Sequence, residues 1–517
     1  MDSIFYLVWR NCFIRAEIRN KVCQDIVIKI NSLIELQNNH QYLSLFTDRD
    51  KLNNNIYIRL KINNHDQFNQ YISNSQYNHV VNDLKLDYPT NGLDLDKGVI
   101  VQRLSFYLNS ESDSGGDGGG RLPQSLTELI VKPWEHGVMN NFNNTALDNM
   151  LLNHLPTSLR KLKLPNSYHI KTTIKMIKLP DTLEDLHYET WNISNLKKLI
   201  MPPNRIYTNC KAYVNFLDDL QWAQSQPWIG NLYMDHRTTL NLTSGMIPPQ
   251  IKELYFYHNG TVEDQNIFPQ NLIKLLYRSR VEINRLVLVP QLKQLIYLDV
   301  NNFDQQLDKS MLPSTLETLI MDEYNSPLLP DVLPNSLTEL KLQSFNQELN
   351  PFVLPSHLKI LELLRFTGDI VANALPCTLT RLALHSITGS FQHAPQMNHL
   401  SYLNIKVLHP SVSRVISNTN KIRIAITQSI DPCFNIQQTS IQHLDWAIIS
   451  NRIPLTSNLV PNQIKTLNLY RFSIVSKVIP TSCTKLVTDT NDFNLNLIPS
   501  STKYICTSDK WNQIRIK

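Results

Sequence analysis

The sequence predicts a leucine-lined solenoid: a curved parallel β-sheet of short strands, one per turn, from about twenty turns of 19–24 residues. Three observations predict it. Prolines preceded by an apolar residue fall at Pro248, Pro269, Pro290, Pro313, Pro334, Pro355, Pro376 and Pro395, with spacings of 21, 21, 23, 21, 21, 21 and 19. After each proline the apolar positions repeat as apolar-x-x-apolar-x-apolar, as in Leu316/Leu319/Met321, Leu337/Leu340/Leu342, Leu358/Leu361/Leu363 and Leu379/Leu382/Leu384. Glycine is scarce, 13 in 517 residues with five in one run, which disfavours folds that need many left-handed turns.

Within one unit the last two apolar residues alternate with polar ones, the period-2 signature of a short strand with one buried face. Proline fixes φ and has no N–H for a ladder, so it belongs in the turn that enters the strand. One unit cannot bury its own leucines, and stacking successive units places their strands side by side and in parallel. The match to the leucine-rich repeat, L-x-x-L-x-L, is direct.

Residues 1–40 form an N-terminal helical segment that caps the coil. Phe5, Val8, Trp9, Cys12, Phe13 and Ala16 recur at helical spacing, Arg10, Glu17 and Lys21 line another side, and Ile26, Ile30 and Leu33 continue the apolar series. Residues 41–110 hold irregular first repeats, with Tyr57/Leu60/Ile62, Val81/Leu84/Leu86 and Val101/Leu104/Phe106 in frame. Residues 111–121 read as a flexible Gly/Ser/Asp-rich loop rather than a phosphate cradle, because the run continues into a repeat unit and not a helix. Residues 122–510 carry the solenoid, most regular over 247–405, with an insertion at 135–154. The register is poor over 190–246 and 406–455. Past the strand leucines, the slot usually held by an asparagine carries Tyr324, Phe345, Phe366 and Phe472, with Ile387 in the series, so a column of stacked aromatics is expected.

The unit L-P-x-S-L-x-x-L-x-L-x-x-F-N resembles the FNIP repeat, a leucine-rich-repeat relative expanded in amoebae. Residues 333–347 (LPNSLTELKLQSFNQ) and 312–325 (LPSTLETLIMDEYN) carry the resemblance best. Residues 8–18, VWRNCFIRAEI, are similar to a helical opening found before such arrays. The resemblance implies the fold and leaves function open.

A net charge of +5 with scattered Lys and Arg does not mark a nucleic-acid binder. No apolar run is long enough to span a membrane. Seven cysteines without a C-x-x-C pair, behind an N-terminus unlike a signal peptide, point to free thiols in the cytoplasm. No P-loop, H-E-x-x-H, G-x-S-x-G or kinase signature is present, and no His/Cys spacing suits zinc. Asp218 and Asp219 pair two carboxylates between apolar positions of a degenerate strand and read as solvated surface. The expectation is therefore a non-enzymatic chain with no catalytic, cofactor or metal site.

What remains is the concave side of the sheet, where Glu253, Tyr255, Lys274, Ile320, Glu339, Lys341, Glu362 and Arg381 face outward as candidates for binding a protein or peptide partner. The alternative is a substrate receptor of a ubiquitin ligase that docks through an F-box-like N-terminal helix.

Overall fold

The computed structural model describes residues 11–73, 76–90, 100–108, 121–134, 144–153, 155–166, 168–235, 240–278, 287–297, 306–387, 390–489, 494–507 and 510–515. Phe5, Val8, Trp9 and Arg10 lie outside these, as do the five glycines of the 111–121 loop and residues 135–143 of the insertion. The chain divides into two compact units, Met1–Tyr233 and Met234–Lys517. Each is a parallel solenoid of leucine-rich-repeat type.

The first unit opens with the helix Cys12–Val22, capped by Asn11, whose Oδ1 accepts the N–H of Phe13 and Ile14. The Asn20 amide donates to Asp50 at 2.6 Å, and the Arg19 guanidinium lies 4.6 Å over the Phe46 ring. The helix does not continue through Ile26, Ile30 and Leu33. Asp25 takes a left-handed φ of 59°, and Val27–Ile30 forms the first strand, parallel to Tyr57–Ile62. Its sequence, VIKI, is rich in β-branched residues, which favour a pleated surface over a helix. The repeats therefore begin inside the segment read from sequence as helical. Leu33–Leu43, capped by Ser32, and Asp48–Asn53, closed by a Thr47/Asp50 capping box, form the back of this first turn.

From Tyr57–Ile62 the parallel ladder runs through Asp83–Thr90, Arg103–Leu108, Glu128–Pro133, Lys161–Lys163, Asp185–Thr190 and Tyr207–Val214. The strand Ile229–Met234 follows, and Tyr207 donates its N–H to the Trp228 carbonyl at 2.8 Å. Short helices, Ile193–Leu196 and Leu217–Gln224, stand behind these last strands, which is why the proline spacing fades there. Asp218 and Asp219 lie in the first turn of the second helix and not on a strand. Asp219 is buried and meets the Lys197 ammonium at 3.0 Å.

The second unit carries the regular turns. Its strands Glu253–Phe256, Lys274–Tyr277, Gln294–Tyr297, Thr318–Met321, Glu339–Leu342, Ile360–Glu362, Arg381–Leu384 and Tyr402–Leu408 pair in parallel one after another. In six of these turns the proline carbonyl accepts the N–H of the apolar residue three positions on, at 3.0 Å for Pro334–Leu337 and 3.1 Å for Pro313–Leu316 and Pro355–Leu358. In the turns entering Gln294–Tyr297 and Tyr402–Leu408 the Val289 and Met397 carbonyls take that place. In the turns that carry Thr315, Ser336 and Thr378 a hydroxyl clasps the turn to the one before it. Ser336 Oγ donates to the carbonyls of Ser314 and Leu316, both at 2.7 Å, and Thr378 Oγ1 to those of Ser356 and Leu358 at 2.7 and 2.8 Å. Ser158 and Thr182 do the same in the first unit.

The aromatic column forms at Tyr324, Phe345 and Phe366, all buried, with ring centroids 6.5 and 6.4 Å apart and planes within 2° and 16° of parallel. Turns rise by about 4.8 Å, so the rings are offset rather than face to face. Beside it runs an asparagine ladder: Asn325 Oδ1 accepts the Asn346 N–H at 2.7 Å, and Asn346 Oδ1 the Thr367 N–H at 2.9 Å. Asp331, Phe352 and Asn373, spaced one turn apart, share a left-handed φ of 61–62°.

Beyond this stretch the alignment by sequence spacing slips. Spacing sets Leu403 level with Leu444. The ladder instead pairs Leu403 with Ile424 and Ile424 with Trp446, a shift of two residues across the long strand Lys421–Ile430 and a bulge between Ile405 and Val407. A two-residue shift keeps every side chain on its own face, so the apolar column survives. The ladder continues through His443–Ile448, Thr466–Tyr470, Lys485–Thr488 and Tyr504–Thr507, and the backbone of Lys510–Arg515 then pairs antiparallel.

Candidate functional site

The eight outward candidates stand in two adjacent rows of the second unit. Glu253, Lys274, Glu339 and Arg381 belong to a row completed by Gln294, Thr318 and Ile360. Tyr255, Ile320, Lys341 and Glu362 belong to the next, completed by Leu276, Ile296 and Ala383. The eight are half-buried, with buried leucines between them along each strand.

The second row divides into two chemistries. Over four successive strands it reads Tyr255, Leu276, Ile296 and Ile320, an apolar strip open to solvent, with the Lys274 ammonium 6.0 Å over the Tyr255 ring. Over the following strands it is charged and internally compensated. Lys341 Nζ stands 2.8 Å from Glu339 and 3.9 Å from Glu362, and Glu362 takes Arg381 Nε at 2.8 Å. The Arg381 guanidinium then lies 4.1 Å over the Tyr402 ring. His385 stands beside this network. Burial holds its imidazole below the ordinary histidine range, and Asn404 Nδ2 approaches its Nε2 at 2.8 Å, a contact that suits the neutral ring.

The outward rows of the first unit were not singled out from sequence, because their residues are 20 to 33 positions apart and no fixed period joins them. One row alternates in sign: Arg59, Asp83, Arg103, Glu128, Lys161 and Asp185 are successive ladder partners. Arg59 meets Asp83 at 2.8 Å and Arg103 meets Glu128 at 2.5 Å, with the Arg103 guanidinium 3.9 Å over Tyr57. Burial raises the Asp83 carboxyl above its ordinary value, with the Arg59 hydrogen bond opposing it. At the end of this unit Trp191, 60% exposed, lies 4.5 Å from Tyr213, which lies 4.5 Å from Tyr233.

A recess of about 710 Å³ on the first unit is lined by Met176, Ile200, Pro202, Pro203, Ile206 and Trp228 among others, with Arg205 as its titratable group. The Arg205 guanidinium is held on the Leu183 carbonyl. Among the described residues no three His, Cys, Asp or Glu side chains stand close enough to hold a metal ion, and no helix is long and apolar enough to cross a membrane.

A family model described as FNIP Repeat matches residues 324–366, the stretch that holds the aromatic column and the asparagine ladder. No curated protein matches the chain. Among solved structures, CroV588, described as a novel circular leucine-rich-repeat protein, is 18% identical with a TM-score of 0.44, over 86% of this chain and 69% of that one. YopM from Yersinia enterocolitica WA-314 is 17% identical with a TM-score of 0.37, over 82% and 91%. The functional domain of InlJ from Listeria monocytogenes is 13% identical with a TM-score of 0.34, over 57% and 62%.

Proposed function

Because the chain is an FNIP repeat-containing protein built as leucine-rich-repeat solenoids, we propose that it is a non-enzymatic cytoplasmic scaffold that holds a protein or peptide partner on the outward side of its sheet. The carrying observation is the strip Tyr255–Leu276–Ile296–Ile320 beside the network Glu339–Lys341–Glu362–Arg381. An apolar centre bordered by oriented charges is the anatomy of a protein interface: the centre supplies affinity, and the charges supply orientation and discrimination. Seven free thiols suit a reducing compartment. Proximity labelling with the full chain tests the reading. Tyr255→Ala/Ile320→Ala should strip a set of labelled neighbours that Val371→Ala, in an exposed loop, retains. Identical sets for both variants refute it.

A second reading, the ubiquitin-ligase receptor, draws on the helix Cys12–Val22, which leaves Phe13, Ile18 and Val22 exposed at 70%, 45% and 69%. Deleting residues 1–40 would also remove the strand Val27–Ile30, so point variants are the cleaner test. A purified cullin-ligase adaptor should bind the native chain and release Phe13→Asp/Val22→Asp. No binding to the native chain ends this reading.

A further inference from the structure

On the first unit, the row next to the alternating one has a different composition. Lys61, Lys85, Ser105, Ile130, Lys163 and His187 are successive ladder partners, and none is acidic. The acids on these strands are already engaged. Asp83 is held by Arg59, Asp87 by Lys61 and Lys85 at 2.7 and 3.1 Å, Glu128 by Arg103, and Glu189 by Lys211 at 3.3 Å. Asp185 accepts from Asn209 at 2.9 Å and lies 3.2 Å from His187. Lys132, Lys161 and Lys163 have no carboxylate within ion-pair distance among the described residues. Lys132 stands 5.6 Å over the Tyr107 ring, and the Trp134 ring meets Tyr107 edge-on at 5.4 Å. Burial lowers the Lys132 ammonium below the ordinary lysine range, and the like charges of Lys85 and Lys163 add to the shift. Uncompensated ammonium groups are thus gathered beside an aromatic wall on a face that no described element covers.

We propose that this face binds an extended acidic peptide segment of a partner protein, its carboxylates on Lys132, Lys161 and Lys163 and an apolar side chain against Tyr107. The geometry suits that occupant. Strands lie about 4.8 Å apart and alternate outward residues about 6.8 Å along each strand, so Lys132 and Lys163, on adjacent strands and two positions out of register, stand about 8 Å apart at Cα. Alternate side chains of an extended peptide are spaced by about 6.8 Å and project to one side. Carboxylates at every second position therefore reach successive ammonium groups. The long lysine side chains take up the change of direction of about 35° between the step from Lys132 to Lys163 and the step from Lys163 to Lys161. Nucleic acid would ask for a broad basic field, and the neighbouring alternating row supplies acids instead.

The inference rests on the protein-binding reading but uses a different unit, so the two can fail separately. The test uses the full chain and a fluorescein-labelled peptide of about twelve residues with Glu at every second position. Fluorescence anisotropy should show binding that weakens several-fold between about 50 and about 300 mM salt. Lys132→Glu/Lys163→Glu should weaken it about tenfold or more, and Lys132→Arg/Lys163→Arg and the exposed-loop variant Lys175→Glu should leave it near native. Lys132→Gln/Lys163→Gln gives the same readout, with a smaller loss, should the double charge reversal not fold. The inference is overturned by no binding, by equal binding of a peptide that carries Gln at each Glu position, by an unaffected charge-reversal variant, or by a single-stranded oligothymidylate binding more tightly. If the peptide fails while Tyr255→Ala/Ile320→Ala still strips labelled neighbours, this inference falls and the scaffold reading stands.

Discussion

Replacing Phe345 by alanine perturbs the column at its centre. The ring is fully buried and stacked between Tyr324 and Phe366, so its removal forfeits burial on one turn and contact with two others. Truncating a buried phenylalanine costs about 3–5 kcal/mol, including the cavity left behind. About 1 kcal/mol of that belongs to the lost ring contacts. Each turn touches mainly its neighbours, so the cost should fall on the strands Thr318–Met321, Glu339–Leu342 and Ile360–Glu362 and not on the chain as a whole. A loss of about 4 kcal/mol multiplies local opening by roughly a thousandfold. Native-state hydrogen exchange read by mass spectrometry should show that change on these three strands and near-native protection at Thr466–Tyr470. Phe345→Leu, which keeps most of the volume, should cost less than about 1.5 kcal/mol. Equal loss of protection along the whole chain would refute the neighbour-only reasoning, and unchanged protection at the three strands would refute the column.

The clasp is tested by Ser336→Ala, which leaves the carbonyls of Ser314 and Leu316 without their donor. It should cost about 1–2 kcal/mol and lower the urea midpoint, with Ser336→Thr near native because Thr378 makes the same pair of bonds; an unmoved midpoint for the alanine variant rules the clasp out. Phe352 is 75% exposed yet held at φ 62°, a region that suits asparagine better than an aromatic residue. Phe352→Asn should therefore stabilise the fold by about 1 kcal/mol, and a lower midpoint would contradict this. Hydrogen bonds from the Lys61 ammonium and then from Lys85 hold the Asp87 carboxyl below its ordinary range. A depressed carboxyl pKa stabilises the fold above the unfolded-state value, about pH 4, and that stability is lost as the pH falls through the folded-state value. The pair is partly exposed, so the effect should stay below about 1 kcal/mol. Melting temperatures between about pH 3 and pH 7 should fall less steeply for Asp87→Asn than for the native chain, and parallel curves would count against the pairing.

The turns of the second unit were legible because burial imposes a strict pattern on each one. Leu337, Leu340 and Leu342 must all point inward, and the Leu-Pro pair must stand where no ladder N–H is needed. The same period-2 alternation put Glu253, Tyr255, Lys274, Ile320, Glu339, Lys341, Glu362 and Arg381 on the outward face. The strand Val27–Ile30 was hidden because Ile26 and Ile30, four positions apart, fit a helical period as well as an extended one and Leu33 continues the helical one, and Asp25 breaks the helix by a backbone angle that composition does not disclose. The hydroxyl of Ser336 is present in the repeat unit, but its acceptors belong to the preceding turn.

Sequence by itself determined the coil and which side chains face outward, since both follow from a local rule repeated along the chain. Which outward side chains become neighbours was decided only by the tertiary structure. Arg59, Asp83, Arg103 and Glu128 form one row, and Lys132 and Lys163 one uncompensated group, through a ladder register set by turns of unequal length. Charge interactions depend on distance in space, and where the turn length varies, separation along the chain does not fix that distance.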